Sequence, residues 1–557
     1  MLIFKFFITL FLISLCSSCG SYDNVDRTPS VSGDIVDYDG WYTETIDRVL
    51  NVYINVPVPN EYYCAPYDDH AAPIRPCTLE DVYGDIDSTD DYKPELHVKM
   101  YTDFYESNNS VVNAEFKQKG KSTRRSKLKS YRVVLDDDKP LYNEEGTLQL
   151  NKHPNDYARI KQMMSFELFK DIPNFTSLKT LFYRLWINDV DYGLYTHVEN
   201  VDEIYLRNRG WNEQDKLYKT QNFAFRVESG MELDSKGEPI NREVFEAVIE
   251  PQTGDDHSKL ITMLNAINEN MSDEQFTQVF EKYFNRQNYI TWMAVNLVLA
   301  NKDTVSQNFY LYNPLYSDKF YFLPWDYDGI SRATEKYAKW ELGIGTWWGI
   351  SLHNKFLKIK ANREELDVMV DNIRNNYITD AKVQMLLDKY KPLIEPFILR
   401  NPDNDVLSES NWLEEFNIVV PRISENVQNY KSQIGSPMPF WQGMRYQNGV
   451  LTLTWEESID FEGDAIVYDI LCADNVDFNN SIVNLANVDQ NSSDLNVTSW
   501  GDVSYSTPVD LSSGDRLFMK IVAKEKYNPS NYQIAFDKAV EIDGIKYFGV
   551  LEVKLEF

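Results

Sequence analysis

Two acids and an amide stand out for what they could do together: Asp303, Asn308 and Asp326. They sit at the ends of two aromatic-rich runs, Phe309 to Tyr312 and Lys319 to Pro324, of the kind that forms half-buried strands. Asn313-Pro314 and Ser317-Asp318 supply turn chemistry between the runs, so the segment reads as a β-hairpin. In a hairpin the start of the first strand lies beside the end of the second, roughly 5 Å away. Asn308 and Asp326 are then neighbours at the open end, and Asp303 sits one short loop upstream. An acid that orients a hydroxyl, with an amide and a second acid that hold a divalent cation, makes a magnesium-dependent phosphoryl transferase acting on an alcohol. Asp328 would share a face with Asp326 if the strand continued, but Gly329 argues that it ends, so Asp328 ranks second as a metal ligand.

The spacing Asp303-x-x-x-x-Asn308 is that of the protein-kinase catalytic loop, and Asp326 takes the place of the metal-binding acid that comes after it. Asn301-Lys302 departs from the usual His-Arg, and Trp325-Asp326-Tyr327-Asp328-Gly329 from Asp-Phe-Gly. The plain alternative is a surface hairpin whose polar residues only cap and turn. A second stretch, Lys119-Gly120-Lys121-Ser122-Thr123-Arg124-Arg125 and then Lys129-Ser130-Tyr131-Arg132, could set backbone N–H groups and cations against phosphate oxygens. It is not a P-loop: Glu115 stands where the first glycine is needed, and the segment after Thr123 is strand-like rather than helical. A basic hairpin with solvated side chains explains the same residues.

These residues need elements to hold them. Asn288 to Ala300, with Ile290, Trp292, Met293, Val295, Leu297, Val298 and Leu299, reads as a buried helix that delivers the chain to Asp303. Strands are expected at Arg48 to Val58, Glu95 to Tyr101 and Ser110 to Lys119, and helices at Ile160 to Lys170, Lys259 to Asn270, Asn362 to Tyr377, Asp380 to Arg400 and Asn411 to Gln433. Ser272-Asp273-Glu274-Gln275 is a capping-box pattern opening one more helix, whereas Gln221 to Pro251 reads as an irregular insertion. Trp340 to Gly349, with three tryptophans, suits aromatic core packing or an acceptor-binding wall. After Ser436-Pro437-Met438-Pro439, a linker, short strands such as Gly449 to Trp455, Ala465 to Ala473, Arg516 to Lys524 and Ile545 to Phe557 indicate a β-sandwich.

A chain of 557 residues is too long for one core. The 86 acidic against 55 basic residues, net charge −31, argue against a nucleic-acid partner. Lys5 precedes the apolar run Phe6 to Leu15, long enough for a signal peptide but too short to span a bilayer. The run ends in Leu15-Cys16-Ser17-Ser18-Cys19-Gly20, like a bacterial lipoprotein signal with lipidation at Cys19. Residues 1–19 are thus read as signal and 20–45 as tether, giving a cell-envelope protein that meets the membrane through its lipid anchor alone, periplasmic or surface-exposed. Export permits a Cys64–Cys77 bridge, with two free thiols as the alternative, and Cys472 sits in a core pattern. The histidines are scattered and no zinc motif occurs.

The ordered set of motifs resembles the CotH kinase family, the spore-coat protein H type of atypical secreted kinase. Gly120-x-Ser122-Thr123 with Lys129-Ser130-Tyr131-Arg132 comes first, then Asn155-Asp156 with Arg159. Leu185 to Asp189, Tyr192 to Asp202, Leu217-Tyr218-Lys219 and the two hairpin runs come next, in the family's order. The resemblance implies an α+β, two-lobed kinase-like domain over 46–435, ATP and Mg²⁺ as cofactors, and an exported protein as substrate. It implies Asp303 as the catalytic Asp, Asn308 and Asp326 as metal ligands, and an ATP-binding set of Lys129, Glu199, Ser122 and Arg132, with a Lys129–Glu199 pair. Lys127, Lys219 or Arg132 could replace Lys129, and Glu199 could instead favour the next helix's N-terminus. Residues 440–557 resemble a fibronectin type III-like sandwich through Leu453-Thr454-Trp455 and Leu511-Ser512-Ser513-Gly514-Asp515. Two other functions fit the same fold: a non-catalytic surface adhesion or assembly protein, and a transferase that moves AMP rather than phosphate.

Overall fold

The structure, a computed structural model, describes residues 28–29, 33–37, 39–42, 47–86, 92–103, 112–120, 122–136, 145–332, 337–498, 501–537 and 539–556. The signal-peptide and Cys19 expectations lie outside these residues. It is an α+β protein.

Seven strands close a barrel: β1 (Leu50–Asn55), β2 (Glu95–Thr102), β3 (Ala114–Lys119), β4 (Ser130–Leu135), β5 (Thr147–Asn151), β6 (Thr180–Ile187) and β7 (Val190–Val198), in the order β1-β2-β3-β4-β5-β7-β6. All neighbours are antiparallel except β6 and β1, whose parallel pairing of Leu50 with Tyr183 closes the ring. Alternation drives this: Leu50, Val52 and Ile54 of β1 are fully buried while the residues between them are half-buried. Cys64 and Cys77 form a disulfide, Cα–Cα 5.3 Å, on the loop between β1 and β2.

The second lobe is built on a four-stranded sheet, β8 (Lys216–Thr220), β9 (Ile249–Pro251), β10 (Phe309–Asn313) and β11 (Tyr321–Pro324), in the order β9-β8-β10-β11. Helices α1 (Lys161–Phe169), α2 (Ser258–Asn268), α3 (Asp273–Tyr283), α4 (Arg286–Leu299), α5 (Lys360–Asn372), α6 (Asp380–Ile398) and α7 (Glu409–Ile434) accompany it. Ser272 caps α3 in a reciprocal box with Gln275. The run Gln221 to Pro251 is not wholly irregular: Asn241 caps a helix at Arg242–Val248, which leads directly into β9. The tether expectation also needs correction, because Ile35 is 2% exposed and Gly33 O accepts hydrogen bonds from Asn285 and Tyr321. These residues are docked on the lobe.

Two further sheets stack as a β-sandwich. One contains β12 (Gln442–Gln447), β13 (Val450–Glu456) and β16 (Asp502–Pro508). The other contains β14 (Ile466–Ala473), β15 (Ser481–Asp489), β17 (Arg516–Glu525), β18 (Tyr532–Ile534) and β19 (Leu551–Lys554). Leu451, Leu453, Trp455, Cys472, Met519 and Ile521 fill the space between them. The sandwich is seated on the helical lobe: Phe536 packs on Trp340 at 5.4 Å, Phe461 packs on Trp348 at 5.4 Å, and Gln533 bonds Gln433 at 2.9 Å. Ser436 and Met438 are fully buried, so the expected linker is part of this junction.

Candidate active site

Helix α4 is buried all round because it forms the floor under β10 and β11: Asn288 accepts from Phe322 N at 2.6 Å, and Trp292 packs 4.4 Å from the Phe322 ring. Ala300 ends the helix in the left-handed conformation, and one 3₁₀ turn, Lys302–Thr304, carries Asp303. The next loop is tied down at successive positions. His353 Nε2 meets Val305 O at 3.1 Å, and Phe223 N donates to Ser306 O at 2.6 Å. Asn426 Nδ2 bridges Val298 O and Ser331 Oγ at 3.1 and 3.0 Å.

The β10–β11 register pairs Phe309 with Pro324, so Asn308 and Trp325 leave the hairpin together and Asp326 comes next. Both Asn308 (φ +56°) and Asp326 (φ +58°) are left-handed, a conformation that costs of order 1–3 kcal/mol for a residue with a side chain and concentrates at functional sites. Gly329 sits where Arg332 and Asp303 converge: a Cβ there would lie 2.9 Å from Arg332 Nη2 and 3.4 Å from Asp303 Oδ2. Asp303, Asn308, Asp326 and Asp328 all line one cleft of about 680 Å³, into which the barrel sends Lys119 and Arg132 and the second lobe Lys219. Lys119 and Lys219 stand 5.3 and 5.7 Å from the Trp325 ring, and Lys119 donates to Asn151 Oδ1 at 2.6 Å.

These groups feel one another. Burial, then the neighbouring Asp328 charge, pushes the Asp326 carboxyl up to about 6, with Lys119 opposing. Burial, then nearby Lys219, pushes the Lys119 amine down to about 7. Burial works against ionisation of Asp328, yet the bond from His153 and the charge of Arg332 hold it below the usual carboxylate range.

Two expected ATP-binding roles are not supported by geometry. The Lys129 amine donates to Arg124 O and lies 5.5 Å from the Tyr83 ring, so it turns back onto its own loop instead of lining the cleft. Glu199 is engaged by Arg209 at 2.9 and 3.0 Å, so the Lys129–Glu199 pair does not form. Glu199 is a buried structural acid, and Asp202 caps the next helix. Arg132 does line the cleft, its Nε buried without a hydrogen-bond partner among the described residues. Ser122 opens a 3₁₀ turn beside the cleft-lining Gly120, Thr123 and Arg124, and its side chain is outside the described residues. The Trp340 to Gly349 segment packs into the core and against the sandwich. His153 and Gln162 belong to the site and are absent from the sequence reading, and Lys119, which opens the basic stretch, is absent from the expected ATP-binding set. Gln162 Oε1 accepts from Tyr327 N at 2.7 Å and so fixes the turn carrying Asp326 and Asp328.

A family model described as CotH kinase protein matches residues 116–434, more than half of the chain. The chain belongs to that family. It is also 23% identical over 332 residues to the inner spore coat protein H of Bacillus subtilis (strain 168), a match covering 58% of this chain and 86% of that protein. The matched region runs from within β3 to the end of α7 and so contains every cleft residue discussed above. Asn308 and Asp326, both on the cleft, carry hard oxygen donors of the kind that magnesium takes. Among the described residues, the one trio of acidic, imidazole or thiol groups with ligating atoms within 4.8 Å of one another lies instead in the sandwich, at Asp460, Asp464 and Glu525.

Proposed function

We propose that this protein transfers the γ-phosphoryl group of ATP to a serine or threonine hydroxyl of an exported protein. One observation carries the reading: in a chain of net charge −31, an acid, an amide and a second acid face Lys119, Arg132 and Lys219 across one cleft at the open end of a hairpin. Asp303 orients the acceptor hydroxyl and takes its proton as the oxygen attacks phosphorus. Asn308 and Asp326 hold Mg²⁺, which when bound neutralises charge on the β- and γ-phosphates. Lys119 and Arg132 lie against the phosphate oxygens in place of Lys129, and Gly120, Thr123 and Arg124 on the cleft wall offer them backbone N–H groups. Asp328 serves the site through its bond to His153. Lipidation at Cys19 would hold the enzyme at the cell envelope, and a spore-coat relative supports a surface setting. The fibronectin type III-like reading of the sandwich belongs to the same proposal, as a spacing or binding module.

The test is incubation with Mg²⁺ and ATP labelled at the γ-phosphate, beside Asp303→Ala and Asp326→Ala. Label on the protein or an added acceptor should fall at least about a hundredfold in both variants, with folding retained. Full labelling in either variant would refute the assignment. Absence of label and of any Mg-ATP-dependent thermal shift would favour a non-catalytic assembly protein, and an acceptor mass gain of AMP would favour nucleotidyl transfer.

A further inference from the structure

His153 is a cleft residue whose chemistry the proposed reaction leaves unused. It is 6% exposed, its Nδ1 meets Asp328 Oδ2 at 3.0 Å, and its Nε2 is buried with no hydrogen-bond partner among the described residues. The backbone is held in the left-handed region, φ +47°, to present this ring. His153 O receives Arg159 Nη1 at 2.8 Å and Asp156 N at 3.1 Å, and the preceding Lys152 is locked to Asp403 at 2.9 Å between fully buried side chains. The ring is therefore held: one nitrogen is fixed by a carboxylate, and the residue lines a cleft shared with Lys119, Arg132 and Arg332. A carboxylate that anchors one imidazole nitrogen sets the orientation of the other.

We propose that His153 Nε2 donates a hydrogen bond to an oxygen of the transferred phosphoryl group, with Asp328 as the positioning residue that holds the ring. This rests on the phosphoryl-transfer reading above. Nδ1 then donates to the Asp328 carboxylate and Nε2 to the phosphate oxygen. The cation-rich lining selects a phosphate over a neutral hydroxyl as the partner. It also gives Asp328 a task other than metal ligation, since its Oδ2 is already committed to the ring.

Two variants of the full chain separate contact from packing. His153→Asn keeps an amide donor near the position of Nδ1, facing Asp328, but offers nothing at Nε2. His153→Gln reaches the Nε2 position with an uncharged donor. The expected result is kcat down about tenfold to a hundredfold in His153→Asn, as for loss of one oxyanion donor, with KM for ATP changed less than about twofold. His153→Gln should recover part of kcat. Unchanged kcat in His153→Asn beside an active wild type would overturn the contact while leaving phosphoryl transfer intact. Equal loss in both variants with lowered thermal stability would make the role structural and overturn it as well. Acid-labile label on His153 would mean a covalent phosphohistidine in place of a hydrogen bond. A wild type that transfers nothing overturns the function and this role together.

Discussion

Val305, between Asp303 and Asn308, is held by a buried histidine, and this makes the acid stability of the loop calculable. His353 is fully buried, with Nε2 3.1 Å from Val305 O and Nδ1 2.7 Å from the Tyr289 hydroxyl. Val305 O can only accept, so Nε2 carries the proton and Nδ1 accepts from the tyrosine, which is the neutral ring. Phe225, Trp292 and Trp347 surround it with centroids at 5.5, 5.8 and 5.0 Å. Burial pushes its pKa from 6.5 down to about 3, against the Val305 bond. Between these values the unfolded chain binds the extra proton, so stability is full above pH 6.5 and is lost as pH falls toward 3. The slope is about 1.4 kcal/mol per pH unit, hence roughly 3 kcal/mol between neutrality and two units below the unfolded pKa. His257, pushed down to about 4 by burial and then by Lys216, adds to the same trend. The perturbation is His353→Gln, whose amide can donate to Val305 O and accept from Tyr289 but cannot titrate. Urea unfolding followed by tryptophan fluorescence near neutrality and at mildly acid pH should show the wild type losing about 3 kcal/mol more than the variant. Equal losses would refute the claim that a neutral ring ties down the loop.

Three more contacts can be tested by substitution. Glu199→Ala should cost about 3 kcal/mol of stability with or without Mg-ATP, because it removes the two-pronged partner of the buried Arg209 guanidinium and leaves it to Asp37 at 3.0 Å; urea unfolding reads this directly. At the cleft, Lys119→Met should weaken ATP binding at least about tenfold while Lys129→Met leaves it nearly unchanged, read by calorimetry. The reverse order would restore Lys129 to the site. Phe536 is 7% exposed, and its ring lies 5.4 Å from Trp340 and 4.9 Å from Trp441, so Phe536→Ala should cost about 3–5 kcal/mol in urea unfolding. A cost below about 1 kcal/mol would mean that the sandwich is not firmly seated on the lobe.

What can be read in the sequence is what local pattern determines. The hairpin, the capping box at Ser272 and the buried helix before Asp303 each depend on residues a few positions apart, and all are present. The remainder depends on contacts across the chain. His153 meets Asp328 across 175 positions, and Gln162 meets Tyr327 across 165. No composition or spacing marks either contact in advance. Lys119 is accessible in principle: it alternates with buried Phe116 and Gln118 at the end of β3, on the face that carries Lys117. Lys129 draws attention by its motif, yet it stands just before β4, where the chain still turns and its amine finds Arg124 O. The helix at Arg242–Val248 escapes sequence reading for a different reason, being short enough that its period barely shows.

The charge distribution bears on how such a cleft works. With 86 acidic and 55 basic residues, the far field repels a nucleoside triphosphate, and steering cannot be the source of affinity. Screening confines that repulsion to about 8 Å at physiological ionic strength, so an anion that reaches the cleft responds chiefly to groups at contact range. There seven cationic side chains against five carboxylates line the cleft, and a divalent cation on Asp326 and Asn308 would offset the carboxylates that oppose a phosphate. On the proposed function, metal and nucleotide would each remove charge that opposes the other. Magnesium without nucleotide, and nucleotide without magnesium, should each bind at least about tenfold more weakly than the pair, a coupling of about 1.4 kcal/mol or more that double titration by calorimetry would measure. Independent binding of the two would show that the acids and the cations in this cleft serve separate ligands.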